Sequence, residues 1–76
     1  MLKRKQKRVI FSTKSFEDYN AACRSMDEEG IEIDKVSFEP SSERYDVHVM
    51  ATKEEAYKLL DLTGKYNAIL WKGEES

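Results

Sequence analysis

The chain reads as an α+β domain in the order β-α-β-β-α-β, and three observations predict it. Ser15-Phe16-Glu17-Asp18 and Thr52-Lys53-Glu54-Glu55 each follow a β-like run and open a helix-like one. In such a signature the hydroxyl accepts a bond from an unpaired first-turn N–H. The acid three residues on bonds back or favours the positive end of the helix dipole. Secondly, each helix gives way to a run of apolar period two. Thirdly, a turn at Pro40-Ser41-Ser42-Glu43 divides the two middle strands.

The elements follow in order. Val9-Ile10-Phe11-Ser12-Thr13 is β-branched and aromatic, which suits a central strand. From Phe16 to about Glu29, residues Phe16, Tyr19, Cys23 and Met26 fall on one helical stripe, with Ala22 beside them. Gly30 stands where a left-handed residue ends a helix. Ile31 and Ile33 share one parity, whereas Val36 and Phe38 take the other, so a bulge or bend near Asp34-Lys35 is expected. An alternative makes Ile31-Glu32-Ile33 a loop and starts the strand near Lys35. Tyr45, Val47, Val49 and Ala51 alternate with Asp46, His48 and Met50 in the third strand. The second helix runs from Lys53 to about Thr63, with Ala56, Leu59, Leu60 and Thr63 inward and Gly64 as its stop. Asn67 to Lys72 supplies the last strand.

Right-handed crossovers in each half, with a hairpin joining the halves, give a topology that resembles the ferredoxin-like plait. The resemblance covers nearly the whole chain. It implies a four-stranded antiparallel sheet of order 4-1-3-2 with two helices on one face. The expected organisation is a flexible basic arm at 1–7, one domain at 8–72 and a flexible tail at 73–76. The plait hosts many unrelated functions, so topology alone names none.

Parity assigns the face that the helices leave open. Arg8, Ile10 and Ser12 of the first strand, Asp46, His48 and Met50 of the third, and Ile69 and Trp71 of the fourth are expected outward. Val36 or Phe38 would join them at the far edge. Ile10, Met50, Ile69 and Trp71 around His48 form more apolar surface than an idle face needs, and such patches mark interfaces. A homodimer formed sheet to sheet, or a protein partner gripped around Trp71, is the expected use.

Composition sets the remaining bounds. Seventy-six residues, 39% hydrophobic and 37% charged, suit one small globular domain with a charged exterior. No apolar run approaches the roughly 20 residues of a membrane-spanning helix. Nor does an apolar segment of about 7–15 residues follow the basic start, as a secretory signal would require. Cys23 is the single cysteine, and a reduced cytoplasmic setting is expected. The net charge of −2 conceals an asymmetry. Of thirteen Lys/Arg, five (Lys3, Arg4, Lys5, Lys7 and Arg8) fall in the first eight residues, leaving eight against all fifteen Asp/Glu. The basic arm supports an alternative function, nucleic-acid binding through those five residues. The acidic body suits a basic groove on a partner.

Chemical signatures are otherwise missing. RNA-recognition domains share the topology, but they need a glycine-flanked aromatic motif on the third strand. Arg44-Tyr45-Asp46-Val47-His48-Val49-Met50 lacks those glycines and turns Asp, His and Met outward. The Cys-x-x-Cys pair of metal-binding plaits and the glycine loop of acylphosphatase-like ones have no counterpart. Small plait nucleases carry an Asp near the end of the first strand, where this chain has Ser12 and Thr13. The sole histidine, His48, has Asp46 two residues away, but its only neighbouring nucleophile is Ser12, without visible oxyanion donors. Cys23 on a buried stripe reads as inert. Asp27-Glu28-Glu29 with Glu32 and Asp34 lacks calcium-loop spacing. The expectation is a non-enzymatic interaction or regulatory module with no cofactor and no metal.

Overall fold

The computed structural model describes residues 6–72, and the elements occur in the expected order. Strand β1 is Lys7–Thr13, helix α1 Phe16–Glu28, strand β2 Glu32–Glu39, strand β3 Arg44–Ala51, helix α2 Lys53–Lys65 and strand β4 Ile69–Lys72. The sheet runs β2-β3-β1-β4, antiparallel at every pairing, with β1 inside as its β-branched run predicts. Both helices cover one face, and the fold is a ferredoxin-like α+β plait. Lys7, expected in the arm, is the first residue of β1; residues 1–5 and 73–76 lie outside the described residues.

The covered face holds the core. Phe11 of β1 and Val47, Val49 and Ala51 of β3 pack with Ala22 and Met26 of α1 and Leu59 of α2, all buried. Alternate positions on the strands supply this set, as a pleated sheet with one covered face requires. Two helical positions depart from the expected stripes. Phe16 is 55% exposed, because it stands at the first turn of α1 beyond the rim of the core. Leu60 is exposed, and Leu62 packs inward in its place, so the α2 stripe is Leu59 and Leu62.

Capping accounts for the helix ends. The Ser15 hydroxyl accepts from the Asp18 N–H at 3.3 Å. Thr52 and Glu55 form a reciprocal box, with bonds of 3.2 and 3.0 Å. At the end of α1 the Ile31 N–H reaches the Met26 carbonyl at 2.9 Å and the Gly30 N–H reaches Asp27 at 3.1 Å. This is a Schellman closure about Gly30, whose φ is 77°. Ile31 is thereby buried beside Met26 in the core. Helix α2 corrects the sequence reading. It continues through Gly64 to Lys65, and the left-handed residue is Asn67, with φ 50°. The Ala68 N–H then closes on the Thr63 carbonyl at 2.9 Å. Asparagine tolerates that conformation better than most side chains, so Asn67 ends the helix and β4 starts two residues later.

In β2 the register shifts between Ile33 and Lys35, placing the anticipated bulge at Asp34. One extra residue restores parity. Ile33 pairs with Val49, Val36 with Val47 and Phe38 with Tyr45, so Val36 and Phe38 join the helix-side face rather than the open one.

Candidate functional site

The open face is built from β1, β3 and β4 in the predicted parity. Ile10 lies between His48 on one side and Trp71 on the other, and Ser12 between Asp46 and Ile69. The register brings Ile10, His48, Ile69 and Trp71 together across β3, β1 and the edge strand β4, with Met50 one pair away on β3.

Side chains there form a closed circuit. The Trp71 Nε1–H donates to Ser12 Oγ at 2.8 Å, and the Ser12 hydroxyl donates to Asp46 Oδ1 at 2.7 Å. Arg44 grips the same carboxylate with two bonds, Nε to Oδ1 at 2.7 Å and Nη2 to Oδ2 at 3.1 Å. Its guanidinium carbon stands 5.6 Å from the centre of the Trp71 ring, which completes the loop. Ser12 and Asp46 are both buried by these partners. Burial alone would raise the Asp46 pKa; the bonds from Arg44 and Ser12, with the charge of Arg44, outweigh it and hold the carboxyl below its ordinary value. A second strap crosses the face: Arg8 reaches from β1 over the intervening β3 to Asp34 in the bulge, at 2.8 Å.

Between strap and circuit lies a hollow of about 330 Å³ lined by Arg8, Ile10, Lys35, His48 and Trp71. Ile10 is its floor and is only 5% exposed, so it shapes the surface more than it touches a visitor. Trp71 is 39% exposed and Ile69 is 61% exposed, whereas His48 and Met50 are half-buried. The face is thus more polar than a count of its apolar residues suggests. Sequence patterning located the residues but missed the Arg44 clamp, which is legible only in the Arg-x-Asp spacing of one strand face.

The catalytic pairing of His48 with Asp46 is not formed. Asp46 is engaged by Ser12 and Arg44, and the nearest bonding partner of His48 Nε2 is Ser37 Oγ at 3.4 Å. Cys23 is half-buried, and burial raises its thiol pKa, opposite to what a reactive thiolate needs. Among the described residues no group of three His, Cys, Asp or Glu is arranged to hold a metal ion. Of the basic arm, Lys3, Arg4 and Lys5 lie outside the described residues, while Lys7 and Arg8 belong to β1.

A second surface was not anticipated. On the helix side, where α1 ends its cover, Phe16, Tyr19, Tyr45 and Phe38 form an aromatic run. Tyr19 stacks on Tyr45 at 5.1 Å, and Phe16 and Phe38 lie 5.7 and 4.9 Å from Tyr45. With Val36 and Ser37 these rings line a groove of about 280 Å³ along the β2 edge. Burial, with Cys23 and Tyr45 nearby, raises the Tyr19 pKa. The stripe periodicity of α1 had placed Phe16 and Tyr19 in the core, and the bulge had to be resolved before Val36 and Phe38 could be assigned.

Among the described residues no helix is long and apolar enough to cross a membrane. No known protein family, curated protein or solved structure matches this chain.

Proposed function

We propose that the chain is a non-enzymatic interaction module that holds a protein partner on the open face of its sheet, with Trp71 as the anchor. The observation that carries this reading is the preset indole. Its N–H is fixed by Ser12 and its ring by Arg44, yet part of the ring stays exposed at the rim of a hollow floored by Ile10. Tryptophan anchors dominate protein interfaces, and a side chain already ordered loses little further entropy on binding. Ile69 and Met50 extend the contact, and His48, Lys35 and Arg8 form its polar rim. The diversion of Asp46 away from His48 supports the non-enzymatic part. A cytoplasmic setting, in which Cys23 stays reduced, belongs to the same proposal.

The test is affinity capture from the native cell with the intact chain, Trp71→Ser, and Tyr57→Ser as a control on the far helix. Proteins retained by the intact chain and by Tyr57→Ser should be lost from Trp71→Ser, with its circular dichroism unchanged. Equal capture by all three would overturn the reading. Nucleic-acid binding is the runner-up. It predicts salt-sensitive retention on DNA or RNA that disappears when residues 1–5 are removed, although Arg8 already spends its charge on Asp34.

A further inference from the structure

We propose that a second copy of this chain docks antiparallel along the β2 edge, about a two-fold axis through Ser37, with Trp71 outside the contact. β2 is an outer strand, so one side of its backbone has no neighbour among the described residues. Natural edges are guarded by bulges and charges. Here the bulge at Asp34 and its Arg8 strap guard only the first half. Beyond it, Lys35-Val36-Ser37-Phe38-Glu39 pairs regularly with β3 and shows its other side to any partner.

The chemistry of those five residues is self-complementary. Antiparallel pairing about Ser37 sets Val36 of each copy opposite Phe38 of the other on the helix side. On the open side it sets Lys35 of each copy opposite Glu39 of the other. Both contacts are favourable cross-strand pairs, made twice. Parallel in-register pairing would instead oppose Lys35 to Lys35 and Glu39 to Glu39. Shifting the axis by one residue to Val36 would set Phe38 against Asp34. Of these three arrangements, only antiparallel pairing about Ser37 makes both the apolar pair and the charge pair.

The exposed apolar residues sit where this pairing needs them. Phe16, Val36 and Phe38 are each about half exposed, and all three line the aromatic groove beside β2. The two-fold axis stands perpendicular to the sheet, so the helices of both copies lie on the same side. Two grooves then meet over the joined strands, and each copy's rings cover the other's. Among the described residues nothing covers this apolar cluster, and a small domain gains from burying it.

Sedimentation equilibrium of the purified chain over a concentration series should give twice the chain mass of 8.9 kDa. Lys35→Glu and Glu39→Lys should each weaken the dimer by on the order of tenfold or more, and the double exchange should restore it. Because Glu39 also accepts a bond from Ser41 within the chain, a second readout fixes the register without touching it. In a Cys23→Ala background, Ser37→Cys should crosslink to its own copy under mild oxidation, and Lys35→Cys should not. A mass of one chain throughout the series would overturn the proposal. So would a dimer indifferent to Lys35→Glu, or a dimer lost on Trp71→Ser alone, which would move the contact to the open face.

Discussion

Asp46 shows how a single carboxylate decides the character of a sheet face. It occupies an outward position, where alternation predicts water, yet it is 6% exposed because Arg44 and Ser12 close over it. Its pKa is depressed in the folded chain relative to the ordinary 3.8. A depressed carboxyl adds stability that is fully present above the unfolded value and is lost as pH falls through the folded one. Stability read from urea midpoints over a pH series should therefore begin to fall below the ordinary carboxyl value of 3.8, with Asp46 contributing part of the slope. Asp46→Asn should cost about 1–3 kcal/mol at neutral pH, since it breaks charge-assisted bonds. The gap between variant and parent should narrow as the pH drops below 4. A gap constant with pH would mean that Asp46 is not held ionised by Arg44.

At the level of elements, capping explains both what the sequence disclosed and what it concealed. Ser15 and Thr52 announced the helix starts because a hydroxyl before an acid has a local, additive effect on exposed N–H groups. Gly30 was equally legible, but Gly64 misled, because asparagine can serve where glycine is the commoner choice. The two glycines now separate by experiment. Gly30→Ala forces a Cβ into φ 77° and should destabilise the fold by about 1 kcal/mol. Gly64→Ala adds a methyl inside a helix with nothing within 4 Å of it, and should stabilise by about 0.5–1 kcal/mol. Urea midpoints moving in opposite directions would bear this out; equal shifts would contradict the helix end at Asn67. The bulge was also foreseen from the parity change between Ile33 and Val36. Its consequence was not: it draws Val36 and Phe38 to the helix side, where they line the groove with Phe16 and Tyr19 of α1. Whether a helical stripe is covered along its full length depends on how far the sheet extends beneath it, and periodicity does not carry that information. Phe16 is exposed for this reason.

Over the whole molecule, alternation within β1, β3 and β4 assigned their residues to the two sheet faces, because one covered face makes register costly to shift, whereas β2 needed its bulge placed first. The residues of the open face were thus readable as Ile10, His48, Met50, Ile69 and Trp71. The depth of each was not, since depth arises from Arg8 and Arg44 reaching across strands that are distant in sequence. Placing β1 between β3 and β4 has a further result that concerns the making of the chain. The most β-prone run precedes the other five elements in synthesis, yet its two flanking strands are translated only after α1, and the second of them only when Lys72 has been added. Until then β1 has an open edge carrying Val9, Ile10 and Phe11, and any neighbouring nascent chain can pair with it. A chain ended at Ala68 should accordingly sediment as aggregates without a cooperative melting transition, and a folded monomer of that length would contradict it. Completing the sheet waits on the last of the six elements, and the four residues of β4 determine when β1 ceases to be available to other chains.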